Sequence, residues 1–234
     1  MALPKISAPI LSFVIPSTQE IKKFRPFLVK EEKILLLAQE GGESDTIMAL
    51  KQVITNCCHD FIDVDRLTTF DLEYIFLKLR AKSINNIVKL RFRDREDEKI
   101  YDFEVNLDDV EIKIDPEHSN KIQVNDEVGI IMRYPDVSMA NAMTDVKSAD
   151  ELFTKVVMYC IDSIYDKEKV YPAVEATEEE LNEFIDSLDH NSFEKIQKFF
   201  DTMPKLYHEL HYKNELGNDR TIKLESVKDF FMLG

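Results

Sequence analysis

The sequence is poor in cysteine and has no long apolar run, and each shortage excludes a class of protein. Cys57, Cys58 and Cys160 are the only cysteines. They are too few for a disulfide framework, so we expect a reducing cytosol. No apolar run approaches the ~18 residues that a membrane-spanning helix needs. No basic segment followed by an apolar core marks a secretory signal. We therefore expect a protein that stays in the compartment in which it is made.

Glycine is also scarce, with five residues in 234, and this limits the catalytic loops that the chain can build. The pair Gly41-Gly42 lacks the Lys and the Ser or Thr that a phosphate-binding P-loop requires. No Gly-x-Ser-x-Gly nucleophile elbow occurs either. Two common families of catalytic site are thereby excluded.

Basic residues are the third shortage. The chain has 30 Lys and Arg against 45 Asp and Glu, which gives a formal net charge of −15 at pH 7. This charge repels nucleic acid and anionic membranes, so we expect neither as a partner. The content of 44% hydrophobic and 32% charged residues is typical of a folded, soluble, helix-rich protein with a sizeable core.

The strongest local pattern is the segment from Arg66 to Ser83, which predicts a central core helix. Thr68 followed by Asp71 predicts an N-cap and a capping box. Glu73 is expected to be a solvated helix glutamate rather than a buried carboxylate. Two adjacent apolar faces follow helical spacing, and they consist of Leu72, Ile75, Phe76 and Leu79, and of Phe70, Tyr74, Leu77 and Ala81.

The first 29 residues contain four prolines, which favour extended chain. We predict an extended arm over 1–29, with a short strand at Ile10 to Ile15. The arm lies either on its own domain or on a neighbouring subunit. The next segment, Lys30 to Gln39, suits a short helix or a buried strand. Thr46 to His59 is then predicted to be a helix, capped by Ser44 or Asp45.

After the central helix the pattern changes to that of β-strands. Four segments show alternation or β-branched enrichment, namely Asn86 to Phe92, Ile100 to Asn106, Val110 to Ile114 and Val128 to Tyr134. They predict an antiparallel sheet of three to five short strands. With the helices before it, this sheet makes an α+β domain over 30–135.

The last predicted domain, 136–234, is mainly helical. Capping boxes at Ser148, Thr177 and Asn191 each predict the start of a helix, and the first helix is expected to run to about Tyr165. Two strands, Leu206 to Tyr212 and Arg220 to Glu225, flank a Gly-Asn turn and predict a closing β-hairpin. The expected fold is therefore α+β, with helices packed on a small antiparallel sheet and a helical C-terminal region closed by the hairpin.

No catalytic constellation emerges from the candidate side chains. Cys57, Cys58 and His59 are adjacent, yet adjacency on a helix does not bring a thiol and a base within hydrogen-bond reach. An acidic cluster of Asp108, Asp109, Glu111 and Asp115 could hold a hard cation, but it matches no calcium-loop spacing and a solvated face is the simpler interpretation. We predict no catalytic residue, no metal and no cofactor.

Four blocks of the sequence nevertheless resemble a known family. They are KFRPFLVKEEKILLLA (Lys23 to Ala38), TFDLEYIFLKLRAKS (Thr69 to Ser83), CIDSIYD (Cys160 to Asp166) and FFDTMPKL (Phe199 to Leu206). In this order and over most of the chain, they look like the baseplate hub protein family of T-even-type, contractile-tailed bacteriophages.

The resemblance implies a non-enzymatic baseplate hub subunit or tail-assembly protein. Its expected partners are other phage hub and tail proteins, including the tape-measure protein, in a multi-protein complex. The implied location is the virion tail baseplate, after assembly in the host cytoplasm. Two alternatives stay open. One is a tail-assembly chaperone that is absent from the mature virion, and the other is a metal-dependent hydrolase using Asp108, Asp109 and His118.

The chain departs from the family pattern at its C-terminal hairpin. The resemblance implies a Cys-x-x-Cys-Gly turn there, whereas this chain has Lys213 and Leu216 in the two thiolate positions. Zinc needs such ligands. We therefore predict no zinc, and a hairpin held by packing, with Phe230 and Phe231 as candidates.

An assembly role directs attention to the first block. Arg25, Phe27, Lys30, Glu31 and Glu32 combine a cation, an aromatic ring and carboxylates, which suits an interface anchor with a polar rim. The alternative is that Arg25 and Glu31 pair with groups of their own domain. We predict a partner-binding site at these five residues.

Overall fold

The computed structural model describes residues 8–39, 43–139 and 148–230, and the chain divides into two compact units. Unit 1 comprises Met1–Lys113 and Lys205–Gly234, and unit 2 is the inserted Ile114–Pro204. These limits differ from the predicted boundaries at 29 and 135. They differ because residues 205–207 pair with residues 111–113, and local patterns do not reveal such a distant contact. The division into independently folding domains stays a prediction.

The described residues contain both helices and antiparallel strands, which confirms the α+β class. The helices are α1 (Val29–Gln39), α2 (Glu43–Cys57), α3 (Thr69–Ser83), α4 (Ala149–Cys160), α5 (Glu178–Asp186) and α6 (His190–Thr202). The strands are β1 (Leu11–Val14), β2 (Ile21–Phe24), β3 (Ile87–Arg93), β4 (Ile100–Asn106), β5 (Glu111–Lys113), β6 (Lys121–Gln123), β7 (Gly129–Met132), β8 (Ile161–Tyr165), β9 (Val170–Pro172), β10 (Lys205–Lys213) and β11 (Asp219–Leu224). None of the helices in this part of the chain has the length and apolar content to cross a bilayer.

The described part of the N-terminal segment is a β-hairpin on unit 1. Strands β1 and β2 pair antiparallel. The backbone N–H of Arg25 donates to the carbonyl of Cys57 at 2.8 Å, and that of His59 donates to the carbonyl of Lys23 at 2.7 Å. These bonds fasten the segment after β2 to the end of α2. The predicted strand is therefore present, and it lies on its own unit.

Helix α3 lies in the core of unit 1, as its two apolar faces predict. The capping box is present, because Thr68 and Asp71 exchange two hydrogen bonds of 3.2 Å. Glu73 was expected in solvent but is half-buried. Burial raises its pKa to about 7, and its carboxylate accepts a 3.2 Å hydrogen bond from the Val227 N–H. The buried residues of the helix are Phe70, Asp71, Leu72, Ile75, Phe76, Leu77, Leu79 and Ala81.

The strands predicted to share one sheet are divided among three. Strands β3 and β4 form a two-stranded sheet, β5 adds to the β10–β11 hairpin, and β7 belongs to a four-stranded sheet in unit 2. The prediction of a single sheet was wrong. The pairing partner of each strand is set by the tertiary fold and not by the residues of the strand itself. The predicted closing hairpin is confirmed, with Leu210 opposite Ile222 in its register.

Unit 2 consists of the β6–β7–β8–β9 sheet with helices packed against it. Its core contains Ile130, Met132, Val157, Cys160 and Phe199 among other buried residues. The Thr177 capping box is confirmed. The third helix is capped by Asp189, whose carboxylate accepts from the Ser192 N–H at 2.8 Å, rather than by the predicted Asn191.

One helix prediction in unit 2 was too long. Helix α4 ends at Cys160, and Ile161–Tyr165, which was expected to continue it, is strand β8. The β-branched Ile161 and Ile164 pair across the sheet with β7. Gly129 allows this pairing, because a Cβ atom there would lie 2.3 Å from the ring of Tyr165. Helical capping and spacing therefore located the start of this helix but not its end.

Candidate interaction surface

Two residues of the predicted partner-binding site, Arg25 and Glu31, pair with each other. Arg25 Nη2 donates to Glu31 Oε1 at 2.9 Å, and Nη1 donates to Oε2 at 3.2 Å. The Glu31 side chain is fully buried, and its Oε2 also accepts from the Leu28 N–H at 2.9 Å. Burial opposes ionisation of Glu31, but the bonds from Arg25 and Leu28 outweigh it and hold its pKa below the ordinary value. The pair therefore anchors the start of α1 within unit 1.

The remaining three residues differ in exposure. Phe27 is buried and stacks on Phe76, with ring centroids 5.8 Å apart. Lys30 is exposed, with Nζ 3.5 Å from Glu31 Oε1, while Glu32 is half-buried. Arg25, Phe27 and Glu31 are thus engaged in internal contacts. Lys30 also pairs with Glu31 but is exposed, and Glu32 lies near the surface. Partner binding at these positions stays a prediction.

The cysteines are not activated as nucleophiles. Burial raises the pKa of Cys57 to about 11 and that of Cys160 to about 12. Burial also raises the pKa of Cys58. A thiol reacts as its thiolate, so these groups are protonated and unreactive at neutral pH. Cys57 and Cys160 lie in the core as small apolar side chains, and Cys58 is half-buried.

Two residues of the hydrolase hypothesis, Asp108 and His118, are engaged in structural contacts. Asp108 contacts Lys82 at 2.9 Å and Asn86 at 3.3 Å; the hydrogen bond from Lys82 lowers its pKa. His118 lies in the other unit, between Thr202 at 2.9 Å and Tyr134 at 3.0 Å. Within the described ranges, no group of three or more His, Cys, Asp or Glu side chains could hold a metal ion.

The C-terminal hairpin is held by hydrogen bonds at the place where the resemblance implies thiolates. Asn214 Nδ2 donates to Glu96 at 2.7 Å, and the Glu215 N–H donates to Asp97 at 3.1 Å. Tyr212 and Arg220 both donate to the buried carboxylate of Asp94. Phe230 is fully buried, but its predicted role in holding the hairpin stays a prediction, and Phe231 lies outside the described residues. The turn between β3 and β4 therefore holds the C-terminal hairpin through side-chain hydrogen bonds. The sequence did not reveal this contact.

Exposed apolar side chains are concentrated in the N-terminal region of the chain. Of the seventeen large apolar side chains that are exposed in the described residues, nine lie between positions 10 and 61. Three of them belong to α1: Val29 is 67% exposed, Leu36 61% and Leu37 74%. The sequence feature that could have indicated this exposed surface is that leucines fall on both sides of the predicted helix α1. A helix that is apolar all round is normally covered, so this surface indicates a contact with another chain.

The comparisons with known proteins identify a family for this chain. Residues 8–232 match the family model described as T4 bacteriophage base plate protein. Neither the search of curated proteins nor the search of solved structures returned a match. The family match spans nearly the whole chain and both units. The chain therefore belongs to the T4 bacteriophage base plate protein family.

Proposed function

We propose that the chain is a non-enzymatic component of the baseplate hub that helps to build the centre of a contractile phage tail. The family match over residues 8–232 carries this proposal. The unreactive thiols and the internally paired Asp108 favour a structural role over catalysis. Its partners are other hub and tail proteins, including the tape-measure protein. The chain assembles in the host cytoplasm and is located in the tail baseplate of the virion.

Two features of the N-terminal region support binding to another protein. The exposed apolar residues between positions 10 and 61 would be covered in an assembled complex. Lys30 and Glu32 lie beside them and supply the polar rim expected of an interface. Arg25, Phe27 and Glu31 contribute indirectly, because their internal contacts set the position of the start of α1.

A tail-assembly chaperone is the second candidate, since an exposed apolar surface suits a temporary partner as well as a permanent one. The two functions differ in the finished particle. A hub subunit is present in fixed stoichiometry, whereas a chaperone leaves before maturation.

The test combines affinity capture from cells that co-express the phage's tail and hub proteins with quantitative mass spectrometry of purified phage particles. Capture of hub proteins together with a constant copy number per particle is the expected result. Capture without presence in the particle would establish the chaperone function. Failure to capture any baseplate or tail protein would overturn both.

A further inference from the structure

Helix α1 has an outer face that the fold does not cover. We define this outer face as Val29, Lys33, Leu36 and Leu37, which lie four, three and one residues apart and therefore on one side of a helix. All four are exposed, and Leu37 is the most exposed of the apolar three, at 74%. Solvent thus reaches an apolar stripe about two turns long with a lysine near its middle.

The opposite side of α1 is fastened to unit 1. The fully buried Glu31 receives the two hydrogen bonds from Arg25 and one from the Leu28 N–H. Arg25 Nη2 also donates to the carbonyl of Asn56 at 2.8 Å, which links α1 to the end of α2. The helix is therefore held from its inner side, while the outer face is exposed.

The charge on this face indicates what covers it. Residues 8–39 contain five basic and three acidic side chains, in a chain whose formal net charge is −15. One of those acids, Glu31, is buried against Arg25. Lys30 pairs with Glu31 at 3.5 Å, so the cation that the outer face presents to solvent is Lys33. Basic side chains outnumber acidic ones in this segment of an otherwise acidic protein. A carboxylate on the partner is the complementary group.

A second copy of this chain fits the face poorly. In a symmetric antiparallel pair of α1 helices, residues equally distant from the centre of the stripe exchange places. The centre of 29–37 is Lys33, so the two lysines would face each other at close range, and like charges in that position repel. The net charge of −15 on each copy adds to the repulsion.

We propose that the outer face of α1 binds an amphipathic helix of another baseplate protein, one whose apolar residues flank an aspartate or glutamate. The apolar residues would pack on Val29, Leu36 and Leu37, and the carboxylate would pair with Lys33. This is recognition of a helix through its apolar stripe. The inference rests on the proposed function and names the partner of that surface.

The first arm of the test identifies the occupant. A photo-cross-linking amino acid, p-benzoylphenylalanine, replaces Leu37 in the full chain, which is co-expressed with the other baseplate proteins of the phage. After irradiation, mass spectrometry maps the cross-linked peptide. The expected product joins position 37 to a helical segment of a different baseplate protein that contains apolar residues and a carboxylate. A cross-link to a second copy, to the same chain or to a segment without a carboxylate would overturn the inference.

The second arm measures the contribution of the face. We expect the double variant Leu36→Glu/Leu37→Glu to weaken capture of that partner by at least about tenfold, because it places charge in the apolar contact. The matched control is Val174→Glu/Leu216→Glu, which makes the same change at residues that are 90% and 62% exposed and should leave capture unchanged. Lys33→Glu should weaken capture, and Lys33→Arg should preserve it. Thermal unfolding confirms that each variant is folded.

The outcomes separate this inference from the proposed function. If the unaltered chain captures hub proteins and the double variant captures them equally well, the face is not the binding site, although the assembly role stands. If the unaltered chain captures no baseplate protein, the proposed function and the inference both fail.

Discussion

Helices α1 and α3 have similar sequences in one respect, since apolar residues occupy most of the circumference of each, but their surroundings differ. In α3 this circumference is covered by unit 1 itself, and Ile75, Leu77 and Leu79 have no exposed surface. In α1 the inner side is anchored, while Leu36 and Leu37 remain exposed to solvent. A helix with apolar residues on all sides is therefore expected to be buried on all sides. The residues that bury it can belong to the same chain or to another chain.

The largest effect expected from this comparison is at the centre of α3. Replacing Leu77 by alanine in Leu77→Ala leaves a cavity in a fully buried site. We expect the free energy of unfolding to fall by about 4 kcal/mol, measured by urea unfolding of the isolated protein. A loss below about 1 kcal/mol would mean that the core around α3 is loosely packed. The contrast between a buried α3 and a partly exposed α1 would then not hold.

The next effect concerns the anchor of α1. Arg25→Ala removes the bidentate partner of the buried Glu31 carboxylate and leaves it only the exposed Lys30 at 3.5 Å, so we expect a loss of about 3 kcal/mol in the free energy of unfolding. The control is Lys30→Ala, which removes an exposed cation beside the same carboxylate and should have little effect. Equal stabilities for Arg25→Ala and the unaltered chain would show that α1 is not fastened through this pair.

A third effect concerns Glu73, the half-buried carboxylate of α3. It tests how far unit 1 shields this helix from solvent. The pKa of Glu73 rises through burial to about 7 from 4.5, so the folded state favours the protonated form. The resulting stability is present below pH 4.5 and is lost as the pH rises through 7. Glu73→Gln keeps the acceptor for the Val227 N–H without the charge. We expect it to stabilise the protein by about 2 kcal/mol at pH 8 and by much less at pH 4.5.

Urea unfolding of both proteins at pH 4.5, 6 and 8 checks this prediction. Nearby charges also act on Glu73, since Asp229 raises its pKa and Lys228 lowers it. Asp229→Asn serves as a comparison, because it removes the second carboxylate. A difference between Glu73→Gln and the unaltered chain that does not change with pH would contradict a desolvated carboxylate at this position.

The smallest effect is expected on the outer face of α1. The double variant Leu36→Ala/Leu37→Ala removes two exposed side chains from a helix, and alanine favours helix formation. The free energy of unfolding of the isolated protein should change by no more than about 0.5 kcal/mol. The same urea titration that detects Leu77→Ala measures it. A loss of several kcal/mol would mean that these leucines are part of the core after all.

Local patterns predicted those parts of the fold that depend on neighbouring residues. The Thr68–Asp71 and Thr177–Glu180 capping boxes formed as expected. The turn at Gly217, where the backbone φ is +85°, joins the predicted strands β10 and β11. Each of these features is decided within a few residues, so the sequence contains the necessary information.

Patterns failed where a distant contact decided the outcome. Ile161–Tyr165 is suited to helix or strand by its own residues, and pairing with β7 made it a strand. The five residues predicted to bind a partner were chosen for their chemistry. Their burial could not be deduced from it, and Phe27 and Glu31 turned inward. The apolar face of α1 was visible in the sequence, but its exposure was not.

The sequence by itself determined that this is an α+β protein with a central α3 helix, a closing hairpin and the family resemblance that the match over 8–232 confirms. Only the tertiary structure decided which strands share a sheet, that Arg25 and Glu31 pair internally, and which side of α1 is exposed. The physical reason is that capping and turn formation depend on nearby residues. Burial, in contrast, depends on which distant surfaces meet, and periodicity shows only that a surface needs to be covered.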